Sequence, residues 1–235
     1  MDFTNKVIVV TGAAGNLGQA VTRAYLQAGG DVCALDHRVG RLSEIFKNVE
    51  DNGRLNLFEG IDILESEGLF GTAETIRKDI GKVSILVHTI GGYASGELVH
   101  QLSAEVWEKM MDLNVRSFLN ASAAFAPDII DTDEGKIITI GAKAALAGGV
   151  KAGAYAAAKG ALLRLTESMA AELKPHNVQV NCVLPGVIDT PDNREAMPGA
   201  DFSKWVSPEK IAEVILFLTS SEADIITGAA IPVYG

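Results

Sequence analysis

Tyr155 and Lys159 lie four residues apart, separated by three alanines. Residues four apart share one face of an α-helix, so a helix here would place the phenol beside the ammonium group. A nearby positive charge stabilises a phenolate and lowers a tyrosine pKa from its usual value of about 10. The pair is therefore a candidate proton donor and acceptor for a step in which a hydride is also transferred. The same spacing occurs by chance on solvated helices, so the rest of the chain must decide between the two interpretations.

A glycine-rich turn follows the first apolar run and opens a helical pattern. Gly12 permits a tight turn, Gly15 lets the backbone approach a diphosphate, and Gly18 lets the helix pack closely on the preceding strand. Free N–H groups at the helix N-terminus attract the diphosphate. The spacing Gly-x-x-Gly-x-x-Gly differs from the commonest fingerprint, and a plain flexible turn is the alternative. Six residues of the turn are candidate contacts to a dinucleotide cofactor: Gly12, Ala14, Gly15, Asn16, Leu17 and Gly18.

Asp36 ends the second apolar run, eighteen residues after Gly18. A carboxylate at this point accepts hydrogen bonds from both hydroxyls of an adenosine ribose and repels a 2′-phosphate. It therefore predicts a preference for NAD(H). The cation in His37-Arg38 leaves NADP(H) as the alternative.

Two further pairs follow the third and fourth apolar runs. Asp62 and Ile63 are candidate contacts to the adenine, with an exposed loop acid as the alternative. Gly91 and Gly92 would let the backbone lie close to the adenosine ribose, or they form a plain turn.

The elements that must position these residues alternate along the chain. Short β-branched runs and longer segments of helical period are typical of βαβ units, with a parallel sheet buried between helices. We predict seven strands, at 7–10, 32–35, 55–58, 84–88, 136–140, 178–184 and 230–233. We predict helices at 16–28, 41–47, 64–80, 103–126, 152–174 and 208–219. No linker, repeat or low-complexity tract interrupts the units, so the fold class is α/β and residues 1–235 form one domain.

One irregular segment is longer than an ordinary loop. Residues 185–206 hold three of the seven prolines and follow the sixth predicted strand. Ligands bind at the carboxyl ends of the strands in open α/β sheets. We therefore predict that this segment, called the lid below, covers the substrate.

The composition limits the partners. The chain has 235 residues, 48% hydrophobic and 21% charged, with a net charge of -10. That charge disfavours nucleic acid and anionic membrane surfaces, but backbone amides can still bind a small dianionic cofactor. The N-terminus leads directly into an apolar run without signal-peptide features, and no run of 18 apolar residues occurs, so a cytoplasmic protein without a membrane span is expected.

The cysteines and histidines do not suggest a metal site. Cys33 and Cys182 lie inside apolar runs, which predicts buried free thiols. His37, His88, His100 and His176 show no ligand spacing, so no metal is predicted.

At this point the chain resembles the short-chain dehydrogenase/reductase family over essentially its whole length. The matching positions are Thr11 through Gly18, Asp36, Asp62, Gly91-Gly92, Asn114, Tyr155, Lys159, Pro185-Gly186 and Thr190. The resemblance implies a doubly wound Rossmann domain with a seven-stranded parallel sheet in the order 3-2-1-4-5-6-7 and helices on both faces.

The resemblance also implies roles. Tyr155 would be the acid/base, Lys159 would lower its pKa and bind the nicotinamide ribose, and Asn114 would hold a water in a proton relay. Ile188 and Thr190 would position the carboxamide. Pro185 and Gly186 complete the implied cofactor-binding set.

One family residue is missing. Most members carry a serine thirteen residues before the tyrosine, where it hydrogen-bonds the substrate carbonyl, and here that position is Ala142. Loss of such a donor costs several kcal/mol of transition-state stabilisation in ordinary ketone chemistry. The substrate is therefore of another kind, or activity is lost.

A narrower similarity concerns this gap and the lid. Residues 141–146, the glycine turn, and the lid segments 184–191, 193–194, 197–198 and 200–205 are similar to the dihydropteridine reductase branch, which also lacks the serine. The similarity implies NADH-dependent reduction of a quinonoid dihydropterin or another conjugated imine or quinone-like substrate. Tyr93, Ala142 and Trp205 would then line a flat apolar pocket, with lid packing as the alternative for Trp205.

Two other functions stay open. One is a carbonyl reductase or alcohol dehydrogenase acting without the usual serine, and the other is a dinucleotide-binding regulator without turnover.

The alanine-rich faces of the helices at 103–126 and 152–174 would allow close packing between subunits, so a homodimer or homotetramer is expected. The contributing alanines are Ala121, Ala123, Ala124, Ala156, Ala157 and Ala161.

Overall fold

Apolar strands and amphipathic helices alternate throughout the computed structural model, which describes residues 1–132 and 134–235. The described strands are β1 (Val7–Thr11), β2 (Asp31–Asp36), β3 (Leu55–Glu59), β4 (Val83–His88), β5 (Lys136–Ile140), β6 (Gln179–Pro185) and β7 (Ala230–Val233). They form one parallel sheet in the order β3-β2-β1-β4-β5-β6-β7. The predicted fold class and strand order are confirmed, and each predicted strand lies within one or two residues of its observed bounds.

The described α-helices cover both faces of the sheet. They are α1 (Asn16–Gln27), α2 (Arg41–Phe46), α3 (Ser66–Asp79), α4 (Ala104–Met111), α5 (Ser117–Ile130), α6 (Gly153–Leu173), α7 (Pro191–Ala196) and α8 (Pro208–Thr219). Buried residues on the two faces form separate hydrophobic clusters, one against α1, α2 and α8 and the other against α3, α5 and α6. This arrangement explains why the strands are apolar on both faces.

The predicted helix at 103–126 is not one continuous helix. A π-helical turn, Asp112–Arg116, separates α4 from α5, and α5 extends to Ile130. The turn is short and has helix on both sides, so the sequence pattern did not reveal it. π-Helical turns inside α-helices are frequent at functional sites.

The lid contains more regular structure than predicted. It includes α7 and a 3-10 turn at Phe202–Lys204. Its two ends are joined because Asp189 N–H donates to the Val206 carbonyl (2.8 Å) and Val206 N–H donates to the Val187 carbonyl (3.2 Å). The lid is therefore a closed loop with a fixed base at the carboxyl end of β6.

Several smaller expectations have outcomes in the fold. Cys33 and Cys182 are fully buried free thiols, as predicted. Ala121 and Ala124 are buried inside the protomer against the sheet, so they are not available for subunit contacts. Within the described part of the chain, no helix has the length and apolarity needed to cross a membrane. In that same part, His, Cys, Asp and Glu side chains do not cluster in threes that could hold a metal ion.

Candidate active site

The glycine turn between β1 and α1 forms a cradle that larger residues would fill. Gly12 has a φ of +70°, a conformation that favours glycine. A Cβ on Gly18 would overlap the Gly12 carbonyl oxygen and lie 2.8 Å from the Ala13 Cα. The turn is tied to β2 because Ala13 N–H donates to the Leu35 carbonyl (3.0 Å). The residues present therefore fit a dinucleotide diphosphate at the N-terminus of α1.

Asp36 lies where the sequence predicted, at the end of β2, and is 4% exposed. Its carboxylate accepts hydrogen bonds from Ala14 N–H (3.1 Å), from Arg38 N–H (3.1 Å) and from the Arg38 Nε (2.9 Å). Burial by itself raises the pKa of Asp36, but the hydrogen bonds from Arg38 and Ala14 outweigh it, so the pKa lies below its usual value. The carboxylate is charged and is shared with Arg38, which lies beside the expected ribose position.

A cavity of about 350 Å³ lies beside this carboxylate. Six predicted cofactor-binding residues line it together: Gly12, Gly15, Asp36, Asp62, Ile63 and Gly91. Arg38 lines the same cavity. Its position at the carboxyl ends of β1 to β4 suits the adenosine half of a dinucleotide.

A second cavity, of about 560 Å³, lies between α1 and the lid. Asn16 of the glycine turn and Thr190 of the lid face it from opposite sides, and Arg23 and Arg194 also line it. Thr190 caps α7 by accepting a hydrogen bond from Asn193 N–H (3.2 Å). The first turn of α1 and the lid are thus brought together.

The base of the lid holds the remaining predicted cofactor residues. Pro185 is the buried last residue of β6, and Gly186 N–H donates to the Val233 carbonyl of β7 (2.9 Å). A Cβ on Gly186 would lie 3.1 Å from a backbone oxygen of Tyr234, so the chain is closely packed here. The Ile188 carbonyl accepts a hydrogen bond from the Asn193 side chain (2.8 Å).

Tyr155 and Lys159 lie on the first turns of α6, as predicted. Lys159 is 4% exposed, and its Nζ donates a hydrogen bond to the Ile140 carbonyl at the end of β5 (2.7 Å). Burial lowers the pKa of Lys159 to about 8. The pKa of Tyr155 is raised to about 12, mainly by burial and to a smaller extent by the neighbouring Tyr93. The expected lowering of the Tyr155 pKa by Lys159 is therefore not found, because desolvation of the phenolate dominates.

Asn114 lies on the π-helical turn and is completely buried. Its amide nitrogen donates to the Gly92 carbonyl (3.1 Å) and the Met110 carbonyl (2.9 Å), and its amide oxygen accepts from Gly92 N–H (3.1 Å). A Cβ on Gly91 would lie 2.9 Å from the Lys159 Nζ and 3.0 Å from the Asn114 Oδ1. Only glycine at position 91 leaves room for both groups, which brings the loop after β4 against α6.

The three predicted substrate-pocket residues have different environments. Tyr93 is 66% exposed, and its ring contacts the Tyr155 ring edge-on, with centroids 4.9 Å apart. Ala142 has extended backbone two residues after Ile140. Trp205 packs against Phe202 of the lid (4.7 Å). The structure therefore brings Tyr93 to Tyr155 and gives Trp205 a packing partner within the lid.

His88 was not identified as a site residue from the sequence. It ends β4, is fully buried, and its ring nitrogens contact the Thr11 hydroxyl (2.9 Å) and the Ser117 hydroxyl (3.1 Å). Because the Ser117 hydroxyl donates to the Leu113 carbonyl (2.8 Å), the His88 Nε2 carries the proton. His88 thus connects the end of β1 with Ser117 of α5, whose hydroxyl in turn binds the Leu113 carbonyl of the π-helical turn. A histidine ending an otherwise apolar strand was the available signal.

A doubly wound parallel sheet with a glycine cradle, an acid at the end of β2 and a Tyr-Lys pair after β5 defines a dinucleotide-binding oxidoreductase. The family model for short chain dehydrogenases matches residues 6–200. The chain belongs to the short-chain dehydrogenase family, whose members bind NAD(P)(H) and act on small molecules.

Its relatives are varied enzymes. The chain is 31% identical to 2-(S)-hydroxypropyl-CoM dehydrogenase 3 of Xanthobacter autotrophicus, covering 98% of this chain and 96% of the relative. It is 32% identical to the NAD-dependent glycerol dehydrogenase of Listeria innocua, covering 97% and 91%. The structure of L-sorbose reductase from Gluconobacter frateurii, complexed with NADPH and L-sorbose, is similar with a TM-score of 0.90, 25% identity, and coverage of 100% and 97%.

Proposed function

We propose that the protein is an NADH-dependent reductase of a conjugated imine or quinone-like substrate, of the chemical type of a quinonoid dihydropterin. The observation that carries this proposal is Ala142, two residues after Ile140, whose carbonyl accepts a hydrogen bond from the buried Lys159. The similarity of residues 141–146 and of the lid to the dihydropteridine reductase branch supports it.

Within this proposal, NADH supplies a hydride when bound. Tyr155 donates the proton from its hydroxyl to the nitrogen or oxygen of the reduced group. Its raised pKa keeps that proton in place at neutral pH, which suits an acid in a reduction. Lys159 binds the nicotinamide ribose and supplies the positive charge near the phenolate that forms.

Ala142 matters because substrates differ in how much charge they place on one atom. Reduction of an isolated ketone concentrates negative charge on its oxygen, and a pair of hydroxyl donors stabilises it. A conjugated imine or quinone spreads that charge over its ring system. Such a substrate therefore depends less on the hydroxyl that Ala142 lacks.

We propose NAD(H) as the preferred cofactor, with NADP(H) as the alternative. Asp36 is charged and lines the adenosine cavity, where it would repel a 2′-phosphate. Arg38 lies beside it and is the group that would accept a 2′-phosphate instead.

A lower KM for NADH than for NADPH is expected, and Asp36→Ala should reduce or reverse this difference in KM. A lower KM for NADPH in the unchanged protein would refute the preference.

Carbonyl reduction or alcohol oxidation is the second candidate. The glycerol and hydroxypropyl-CoM dehydrogenases among the relatives are named for alcohol substrates, and they support it. A dinucleotide-binding regulator is the third candidate. The presence of Tyr155 on the same helix as Lys159, and the approach of the buried Lys159 and Asn114 side chains around Gly91, argue against it.

One assay set distinguishes these functions. NADH oxidation is measured with chemically generated quinonoid 6,7-dimethyldihydropterin, with a quinone and with a simple ketone, and NADH binding is followed by fluorescence. Turnover of the first two with little on the ketone is expected. Turnover confined to ketones and alcohols would support the second candidate, and binding without turnover on any compound would support the regulator.

Tyr155→Phe, which removes the proton donor, should lower kcat by about 10²-fold or more while leaving NADH binding in place.

We also propose a homodimer or homotetramer. Ala123 and Ala157 are exposed on α5 and α6, and Trp107 on α4 is 42% exposed. Sedimentation equilibrium at micromolar concentration would reveal the state, and a monomer would refute the assignment.

A further inference from the structure

The site contains an exposed phenol whose hydroxyl the roles above do not use. Tyr93 contacts the Tyr155 ring edge-on at 4.9 Å, and 66% of it is exposed. Among the described residues, no protein group hydrogen-bonds to the Tyr93 hydroxyl. A hydroxyl without a partner in the described part of the protein, on a ring that contacts the ring of Tyr155, is thus available for a ligand.

Tyr93 is held by the chain that precedes it. The buried amide of Asn114 binds both the N–H and the carbonyl of Gly92, each at 3.1 Å. A Cβ on Gly92 would lie 2.6 Å from the Leu113 side chain, so the backbone also packs closely there. Because both the N–H and the carbonyl of Gly92 are held by Asn114, the backbone that leads into Tyr93 has a defined position. Its ring then rests on Tyr155 although the side chain is exposed.

We propose that Tyr93 supplies the hydroxyl that Ala142 lacks, donating a hydrogen bond to the same substrate nitrogen or oxygen that Tyr155 protonates. This inference rests on the proposed function. Tyr93 acts only as a hydrogen-bond donor, which stabilises the negative charge that develops on the acceptor atom. The substrate class is therefore one whose reacting nitrogen or oxygen can accept a hydrogen bond from each of the two phenols.

The electrostatics of the two phenols agree with this division of roles. Two neighbouring phenols do not readily ionise together, and Tyr93 contributes to the raised pKa of Tyr155 after burial. Tyr155 therefore enters the reaction protonated, as a reduction requires. Tyr93 is in contact with solvent and can reach a substrate that enters from that side.

A double-mutant cycle tests the proposal. The variants are Tyr93→Phe, Ala142→Ser and the two combined, assayed for NADH oxidation with the dihydropterin, quinone and ketone probes above. Tyr93→Phe should lower kcat/KM about tenfold, which is less than the order of 10²-fold that loss of one donor costs when the charge is concentrated on one oxygen, because a conjugated substrate spreads its charge. Ala142→Ser alone supplies the reference against which the combined variant is compared. In the combined variant the serine should restore most of the loss, because it returns a hydroxyl to the site.

Controls separate the hydroxyl from the ring and from folding. Tyr93→Leu removes both ring and hydroxyl, and Tyr93→Phe removes the hydroxyl alone. Thermal unfolding and the NADH Kd should be unchanged in Tyr93→Phe, because the side chain is exposed and belongs to the substrate side.

The possible results distinguish the two proposals. Unchanged kcat/KM in Tyr93→Phe with activity lost in Tyr93→Leu would make Tyr93 an apolar wall and overturn the inference alone. Loss of activity in Tyr93→Phe that adding Ala142→Ser does not restore would also overturn the inference. In that case, hydroxyls at positions 93 and 142 would not donate to the same substrate atom. Absence of turnover by the unchanged protein on all three probes would refute the proposed function and this inference with it.

Discussion

Burial sets the ionisation of the two side chains that would carry the reaction. Lys159 is 4% exposed, and desolvation lowers its pKa to about 8, whereas the same effect raises the pKa of Tyr155 to about 12. Both shifts favour the neutral form. The spacing of the pair was evident from the sequence. The ionisation was not, because it depends on packing against β5 and on the loop after β4.

The Lys159 pKa predicts how reduction depends on pH. The cation is present below about pH 8 and is lost as the pH rises through that value. We therefore expect kcat/KM for reduction to fall about tenfold per pH unit above pH 8. The arginine in Lys159→Arg keeps its charge over this range. Whatever kcat/KM this variant retains should therefore stay constant up to pH 10.

Lys159→Ala should impair both NADH binding and turnover at every pH. Steady-state profiles from pH 6 to pH 10, with NADH affinity measured in parallel, check both expectations. Wild-type activity in Lys159→Ala, or a flat profile in the unchanged protein, would rule out the assigned role.

At the scale of elements, close approach between backbones shapes the cofactor site. α1 packs so closely on the glycine turn that a Cβ on Gly18 would overlap the Gly12 carbonyl. The spacing of the glycines predicted this contact correctly. The π-helical turn between α4 and α5 was missed, because it spans only Asp112–Arg116 and helix continues directly on both sides of it.

Gly18→Ala should damage the cofactor site through this contact. Overpacking of this kind costs about 1–3 kcal/mol of unfolding free energy, and the shift of α1 should weaken NADH binding. Gly71→Ala is the matched control, because Gly71 lies in α3 and a Cβ there has open space. The control should gain about 0.5–1 kcal/mol from helix propensity. Urea unfolding and NADH titration of both variants test this, and equal effects of the two substitutions would contradict it.

His88 links β1, β4 and the π-helical turn, and it predicts a loss of stability in mild acid. Burial, with a smaller effect of Lys159, lowers its pKa to about 3. The unfolded chain takes up this proton below about pH 6.5 whereas the folded protein does not, so stability is lost as the pH falls from 6.5 towards 3.

At pH 5 the His88 contribution to this loss is about 2 kcal/mol. His88→Asn removes the titration, so the loss between pH 7 and pH 5 should be smaller in that variant by this amount. Urea unfolding at the two pH values measures the difference. Equal losses in both proteins would show that His88 is not buried in its neutral form.

At the scale of the whole molecule, the carboxyl edge of the sheet gathers all parts of the site. Two cavities extend along this edge, from Asp36 to the lid. The net charge of -10 suggested that backbone amides alone would bind the cofactor. The structure adds Arg23, Arg38 and Arg194 to the lining of these cavities. Arg38 pairs there with Asp36 and Arg194 with Asp189, so the linings of the cavities carry both signs of charge.

Because the cavities lie between elements from both halves of the chain, cofactor binding should stabilise the whole fold. NADH at 100 times its Kd should raise the free energy of unfolding by about 2.7 kcal/mol. Differential scanning fluorimetry over an NADH titration should show a rise in Tm that grows with the logarithm of concentration. Gly18→Ala should show a smaller rise at equal NADH, and an unchanged Tm in the unchanged protein would contradict dinucleotide binding.

The amino-acid sequence by itself determined the alternation of strands and helices, the glycine turn, the acid after β2 and the Tyr-Lys spacing. Each of these depends on periodicity or on neighbours a few residues apart, which the linear chain records. Only the tertiary structure decided that Asn114 hydrogen-bonds to Gly92, that the Tyr93 ring contacts the Tyr155 ring and that Lys159 is buried. These contacts join elements that are distant in sequence, and their energetics depend on desolvation and packing, which arise only when the sheet and helices assemble.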